Sequence, residues 1–275
     1  MPIPDAIRRF AEEPEPHIKE APPPTRRVTR PSHVLILSPS PNQAIVSAVR
    51  TTEAELDATI ADVRAELRQS SFTGCVWTIG PSCRPTNLRE LLVARGFRPA
   101  TRPPFEAVTT AMALAVPPPP ARGGAEARVV KDFDEYVQAL RIALAAFGES
   151  EEESAAWIAA APKLWEHSRA ARKTLLGFVD GEPVGFAFVV PTDAGIILGG
   201  SGVLEGFRGR GVYRALVDAR WKIAVELGTP ALTIHAGAMS RPILERCGFE
   251  TICEVEQLDD VVFWNEQQPG VKLSA

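Results

Sequence analysis

The chain has 275 residues, and Lys+Arg 30 against Asp+Glu 34 gives a formal net charge of −4, a balance that excludes the basic field of a general nucleic-acid or anionic-membrane binder. Hydrophobic residues make up 45%, which rules out wholesale disorder, and no apolar run approaches the ~20 residues that span a bilayer. Met1-Pro2-Ile3-Pro4-Asp5 has no charged-then-apolar signal layout, and Cys75, Cys83, Cys247 and Cys253 lack CxxC spacing, so the expectation is a cytoplasmic protein of two domains with reduced thiols.

Prolines cluster between Pro14 and Pro31, so residues 1–31 are expected to be mostly a leader, with Ile7, Phe10 and Ile18 available to dock a short helix. Val34 to Leu37 reads as a strand. Thr52-Glu53-Ala54-Glu55 caps a helix with Leu56, Ile60, Val63 and Leu67 on one face. Cys75 to Ile79 is a strand, Leu88 to Arg95 a helix stopped at Gly96-Phe97, and Val108 to Ala113 another strand. The run Pro117-Pro118-Pro119-Pro120-Ala121-Arg122-Gly123-Gly124 combines a stiff spacer with a flexible end. It marks 117–126 as a linker between a domain at 32–116 and a second at 127–264, with 265–275 as a tail.

Beyond the linker, Arg128 to Val130 is a short strand, and Asp132 opens a helix carrying Tyr136, Leu140, Leu144 and Phe147, closed by Gly148. Ser150-Glu151-Glu152-Glu153 forms a capping box for a helix with Trp157, Ile158 and Trp165. Leu175 to Val179 and Val184 to Val190 flank Asp180-Gly181, a strong hairpin signal. A strand from Ile196 to Val203 feeds Glu205-Gly206-Phe207-Arg208-Gly209-Arg210-Gly211-Val212-Tyr213. A helix follows, with Val212, Leu216, Ala219, Ile223 and Leu227 at helical spacing, stopped by Gly228. Leu232 to His235 is a strand, Pro242 to Arg246 a short helix ending at Cys247-Gly248-Phe249, and Ile252 to Leu258 the last strand. The order helix–strand–helix–Gly-Phe–strand occurs in both halves, which points to a degenerate internal repeat. The first copy has Pro41-Asn42-Gln43-Ala44 before its long helix and no glycine loop.

A strand that turns through glycines into a helix exposes several N–H groups at the positive end of the helix dipole, a site for phosphate or pyrophosphate. Between Glu205 and Lys222, five basic residues (Arg208, Arg210, Arg214, Arg220, Lys222) face two acidic ones (Glu205, Asp218). Neither G-x-x-x-x-G-K-[ST] nor G-x-G-x-x-G fits, because Arg214 fills the third glycine position of the latter.

Arg208-Gly209-Arg210-Gly211-Val212-Tyr213 resembles the [Q/R]-x-x-G-x-[G/A] loop of the GNAT acyltransferases, with Tyr213 at the usual small position. The likeness takes in the Gly181-Glu182-Pro183-Val184-Gly185 hairpin and the Gly248-Phe249 ending, over about residues 127–262. It implies an α/β (α+β) fold of two GNAT-like lobes, each a mixed, mostly antiparallel sheet flanked by helices, with the N-terminal lobe degenerate as in tandem GNAT proteins. It implies acetyl-CoA as cosubstrate, with the pyrophosphate on N–H groups of Arg208, Gly209, Arg210, Gly211, Val212 and Tyr213 and the pantetheine arm along Val203 and Leu204. The implied activity is direct N-acetyl transfer to an amine, small-molecule or peptide, with no metal and with neither nucleic acid nor membrane as partner. The rival readings are a module that binds or senses acyl-CoA without turnover, and a scaffold without ligand.

The family's commonest general acid is a tyrosine four residues before the glycine of the Gly-Phe ending, where this chain has Leu244. His235 is the candidate base, since imidazole titrates near neutrality, or else a hydrogen-bonded structural histidine. Glu205 is a second candidate base or an exposed carboxylate. Ser240 is a candidate contact to the cofactor arm or a cap of the last helix. The acidic run Glu149, Glu151, Glu152 and Glu153 caps a helix or attracts a cationic amine. The acceptor is expected to enter between the lobes, and homodimerisation stays open.

Overall fold

The computed structural model describes residues 2–18, 25–39, 42–70, 72–101, 105–120 and 124–268. The proline triplet 22–24, positions 121–123 of the linker and the tail beyond 268 lie outside them. In chain order the elements are α1 (Asp5–Glu12), β1 (Arg26–Arg30), β2 (His33–Pro39), β3 (Asn42–Ser47), α2 (Leu56–Gln69), β4 (Val76–Ile79), α3 (Leu88–Ala94), β5 (Arg98–Pro99) and β6 (Val108–Leu114). Then come β7 (Glu126–Val129), α4 (Phe133–Phe147), α5 (Glu151–Ala171), β8 (Lys173–Val179), β9 (Glu182–Pro191), β10 (Ile196–Val203), α6 (Val212–Glu226), β11 (Leu232–Ala236), α7 (Arg241–Arg246), β12 (Glu250–Asp259) and α8 (Val261–Gln267). Among the described residues no helix is long and apolar enough to cross a membrane.

Two compact units form, and they interleave along the chain. One comprises Arg8–Met112 with His235–Pro242 and Thr251–Ala275; the other comprises Met1–Ile7, Ala113–Ile234 and Ile243–Glu250. In the first, β1, β2 and β3 make an antiparallel meander, β3 pairs parallel with β4 at Ile45↔Val76 and Val46↔Trp77, and the sheet continues antiparallel into β12. The register Glu256↔Ile79 through Asp259↔Val76 brings the last strand of the chain onto the N-terminal meander. A linear cut at 117–126 therefore does not follow compactness. Leu56, Ile60, Val63 and Leu67 of α2 are buried on one face as the periodicity requires, and Trp77 packs edge-on against Phe97 with ring centroids 5.6 Å apart.

The stretch read as a leader carries structure of its own. α1 buries Phe10 and Ala11 completely, and β1 adds a strand to the meander. β3 spans Asn42–Ser47, a strand that the sequence pattern does not single out. Pro41 and Asn42 are turn-prone residue types, whereas Ala44 and Val46 supply the apolar alternation of a half-buried strand.

In the second unit, β7, β8, β9 and β10 form an antiparallel meander and β10 pairs parallel with β11. The last four of these strands, β8–β11, repeat the order of β1–β4, with β7 an added edge strand, so the repeat is present in the backbone. Asp180 (φ 52°) and Gly181 (φ 80°) are both left-handed, the two-residue turn that joins twisted strands. Asp132 accepts from the Glu135 N–H at 3.0 Å, and Ser150 and Glu153 bond reciprocally at 3.1 and 3.3 Å, so both helix starts are side-chain capped. One face of the sheet carries α4 and α5, whose Tyr136, Ala139 and Ile142 pack with Leu176 and Phe186. The other face carries α6, which approaches closely because glycines lie beneath it. A Cβ on Gly177 or Gly185 would meet Val212 Cγ1 at 2.7 and 2.6 Å. Two residues of the apolar stripes, Phe147 and Leu227, are instead exposed at 60% and 45%, since each sits at its helix's last turn or just past it.

Candidate active site

A single 3₁₀ turn, Glu205–Phe207, leads out of β10 into the glycine loop. Gly209 (φ 79°) and Gly211 (φ 87°) are left-handed, and Gly211 is the N-cap of α6, with no side-chain cap. Only glycine holds two such turns without strain. Their effect is to aim successive amides outward. Among the described residues, no acceptor takes the main-chain N–H of Gly209, Arg210, Gly211, Val212, Tyr213 or Arg214; the first bond into the helix is Ala215 N–H to Gly211 O at 3.0 Å. A Cβ placed on Gly209 would meet nothing within 4 Å, so the loop faces open space. Arg208, Arg210 and Arg214 surround it: Arg208 Nε reaches Val203 O at 3.3 Å, Arg210 pairs with Asp180 at 2.9 Å, and Arg214 donates to Arg246 O at 3.0 Å. Free amides at a helix N-terminus among guanidinium groups fit a diphosphate.

The strand that delivers the loop has one open edge. β10 pairs with β11 at Ile196 and Ile197 only. On its other side it stays with β9 as far as Val203↔Gly185, with a register shift between Leu198 and Ser201. Leu204 N–H is bonded to Val184 O at 2.9 Å. Alternation along an antiparallel ladder then turns the N–H and C=O of Val203 and Ser201 to the opposite, open edge. Of the two residues expected along a pantetheine arm, Val203 therefore offers its N–H there, its C=O already accepting from Arg208 Nε, and the Leu204 amide is committed to β9.

Residues 136–249 match the model of the acetyltransferase (GNAT) family. This stretch of the chain is a GNAT domain. Among solved structures, a GCN5-related N-acetyltransferase from Kribbella flavida is similar over 97% of each chain, with a TM-score of 0.66 at 20% identity. A tandem GNAT protein from the clavulanic acid biosynthesis pathway has a TM-score of 0.57 at 17% identity, over 93% of this chain and 87% of that one. A GCN5-related N-acetyltransferase from Sphaerobacter thermophilus has 0.56 at 19% identity, over 88% and 82%. No curated protein matches the sequence. The fold across both units is thus that of the GNAT proteins.

The remaining candidates are distributed unevenly about the GNAT domain. Glu205 is exposed on the 3₁₀ turn beside the loop. Leu244, at the family's acid position, is fully buried and has no proton to give. Tyr136 is buried among Phe133 and Trp165, which leaves Tyr213, in the first turn of α6, as the tyrosine beside the loop. The Ser240 hydroxyl donates back to Gly237 O at 3.2 Å. One buried group escaped the sequence reading. Arg220, counted with the loop's basic residues, is 0% exposed. The signal was its position, four residues after Leu216 and three before Ile223, inside the apolar stripe of α6.

His235 and Ser240 belong to the first compact unit. His235 Nε2 lies 3.0 Å from Ala11 O and 3.2 Å from Glu12 O. Both neighbours are acceptors, so Nε2 carries the proton and caps the C-terminus of α1, where the last carbonyls lack partners. A base role would fall to Nδ1. Glu15 lies close by, 7% exposed, with Oε2 lacking a hydrogen bond among the described residues. Burial pushes its carboxyl above the ordinary range, and the nearby His235 opposes the rise. A raised carboxyl ionises later in the folded than in the unfolded state, so this group costs stability increasingly as pH climbs above about 4.3. Glu15→Gln is expected to match the wild-type melting temperature near pH 4 and to exceed it progressively toward neutrality. A difference that does not change with pH would show that ionisation at Glu15 is not the cause.

Proposed function

We propose that the protein is an acetyl-CoA-dependent N-acetyltransferase that moves the acetyl group directly to an amine. The observation that carries this reading is the row of six unpartnered amides from Gly209 to Arg214, on left-handed glycines at the start of α6. In this assignment the pyrophosphate lies on those amides, Arg208, Arg210 and Arg214 offset its charge, and the pantetheine arm runs along the open edge of β10 at Ser201 and Val203. The relatives' descriptions as N-acetyltransferases support the same chemistry.

The neutral amine nitrogen attacks the thioester carbonyl carbon, the C–N bond forms, the tetrahedral adduct collapses with cleavage of C–S, and the nitrogen gives its remaining excess proton to solvent to leave the neutral amide. Main-chain donors on the open edge of β10 are suited to the transient oxyanion. An alkyl amine with a pKa of about 10.4 must lose a proton before it attacks. Glu205 is placed beside the loop for that duty, with His235 Nδ1 as the second candidate. With Leu244 at the acid position, coenzyme A leaves as a thiolate that takes its proton from water. No protein nucleophile is required.

The test is twofold. Acetyl-CoA should raise the melting temperature, and an amine panel (polyamines, aminoglycosides, amino acids, peptide N-termini) should release free thiol from acetyl-CoA with at least one acceptor. A thermal shift without thiol release on any acceptor would make the protein an acyl-CoA-binding module, a reading favoured by the buried Leu244. Absence of both would remove acetyl-CoA altogether.

A further inference from the structure

Arg220 is the one charged side chain buried in α6, and its position relative to β9 and β10 is specific. The register of these strands runs Leu198↔Val189 and then Ser201↔Ala187, so Gly199 and Gly200 together oppose Phe188. That is a β-bulge, which bends the bulged strand and interrupts its ladder. Thr192 N–H bonds Gly195 O at 2.8 Å, and counting in twos along β9 from there turns the main-chain groups of Phe188 toward β10, at the bulge. The Phe188 carbonyl receives Arg220 Nη2, at 3.5 Å. Gly199 and Gly200 have no side chains because the Phe188 ring occupies their Cβ space, at 1.9 and 3.2 Å.

The guanidinium is otherwise poorly provided for. Its Nε and Nη1 have no partner among the described residues, and its neighbours are the Tyr213 side chain and Cys247 rather than a carboxylate. Burial pulls its pKa below the ordinary guanidinium value, with Tyr213 acting in the opposite direction. A helix face packed on a sheet is served for folding by an apolar side chain of similar volume, often with a gain in stability. The charge at 220 therefore points to a duty beyond packing.

We propose that Arg220 is a positioning residue for the pantetheine half of acetyl-CoA: it holds the Gly199–Gly200 bulge through the Phe188 carbonyl and so fixes the open edge of β10 at Ser201 and Val203. The inference rests on the coenzyme reading above and adds a division of labour to it. The glycine loop holds the nucleotide half; Arg220, acting through the bulge, holds the arm in line. Arg220 itself touches no reacting atom in this account.

Isothermal titration with two ligands separates the halves: acetyl-CoA, and 3′-phospho-ADP as the nucleotide half alone. Arg220→Met is expected to raise the acetyl-CoA Kd about tenfold while leaving the 3′-phospho-ADP Kd within about twofold, and Arg220→Lys, which retains one charged donor, to restore most of the loss. A purely structural role predicts that both affinities move together or that neither does, and either result overturns the proposal. Should Arg220→Met fail to fold, Arg220→Gln carries the same comparison; failure of all three variants to fold would assign Arg220 to folding alone and overturn it as well. If wild-type protein binds neither ligand, the coenzyme reading itself falls and this proposal with it, a result distinct from selective loss in the variant.

Discussion

Gly211→Glu is expected to abolish the rise in melting temperature that acetyl-CoA produces and to weaken binding by at least about a hundredfold, or roughly 3 kcal/mol. Two effects add. Gly211 holds φ 87° at the N-cap of α6, and a side chain there costs about 1–3 kcal/mol of backbone strain or forces the turn to a different conformation. The new carboxylate also competes with the diphosphate for the same amides and the same end of the helix dipole. Strain alone is controlled by Gly228→Glu. Gly228 follows the other end of α6 with φ 74°, and a Cβ there meets nothing within 4 Å. That variant carries a comparable backbone penalty and the same added charge, and it should keep the acetyl-CoA shift. If both variants bind alike, the loop is not where the diphosphate sits.

What could be read from the sequence depended on whether a signal was local. The Asp180-Gly181 turn, the Asp132 and Ser150 caps and the Gly148 stop each act within four residues, and each is found where the residues place it. The long amphipathic helix α2 buries its periodic face as read. The pairing of β12 with β4 joins segments far apart in the chain, and nothing in either segment names its partner; that is why a linear division at the proline run misses the interleaved units. β1, with Arg26, Arg27 and Arg30 around a single buried Val28, looks like a charged leader until β2 gives it an edge to join.

The site divides in the same way. The glycine loop is legible because φ > 0 and bare amides can be produced by few residue types other than glycine, so Gly209 and Gly211 announce their own geometry. His235 was legible as a titratable group at a strand end, but its hydrogen bonds go to the C-terminal carbonyls of α1, and that docking depends on Phe10 and Ala11 burying themselves, a tertiary fact. Arg220 was hidden by its own chemistry. A charge in a basic stretch is ordinarily counted to the surface, and only its helical phase contradicted that.

Gly185→Ala is expected to lower both stability and acetyl-CoA affinity, through one atom. The added Cβ would lie 2.6 Å from Val212 Cγ1, with Gly202 O and Leu216 Cδ1 already at 3.4 Å. Val212 is buried at 1% exposure, and in a helix a valine has essentially one rotamer, so it cannot swing aside; the first turn of α6 must lift from the sheet. Overpacking of this kind costs about 1–3 kcal/mol, which for a unit of this size lowers the melting temperature by about 3–10 °C. The displaced residue is the one that directly follows Gly211, so the lift passes straight into the amides of Gly209 to Tyr213, and affinity should fall about tenfold. Val212→Ala in the same chain removes the clashing methyl, and the double variant should recover most of both losses, because residues in contact couple where distant ones add. Simple additivity of the two single effects in both measurements would mean that the close approach of helix and sheet at Gly185 is not what sets the loop.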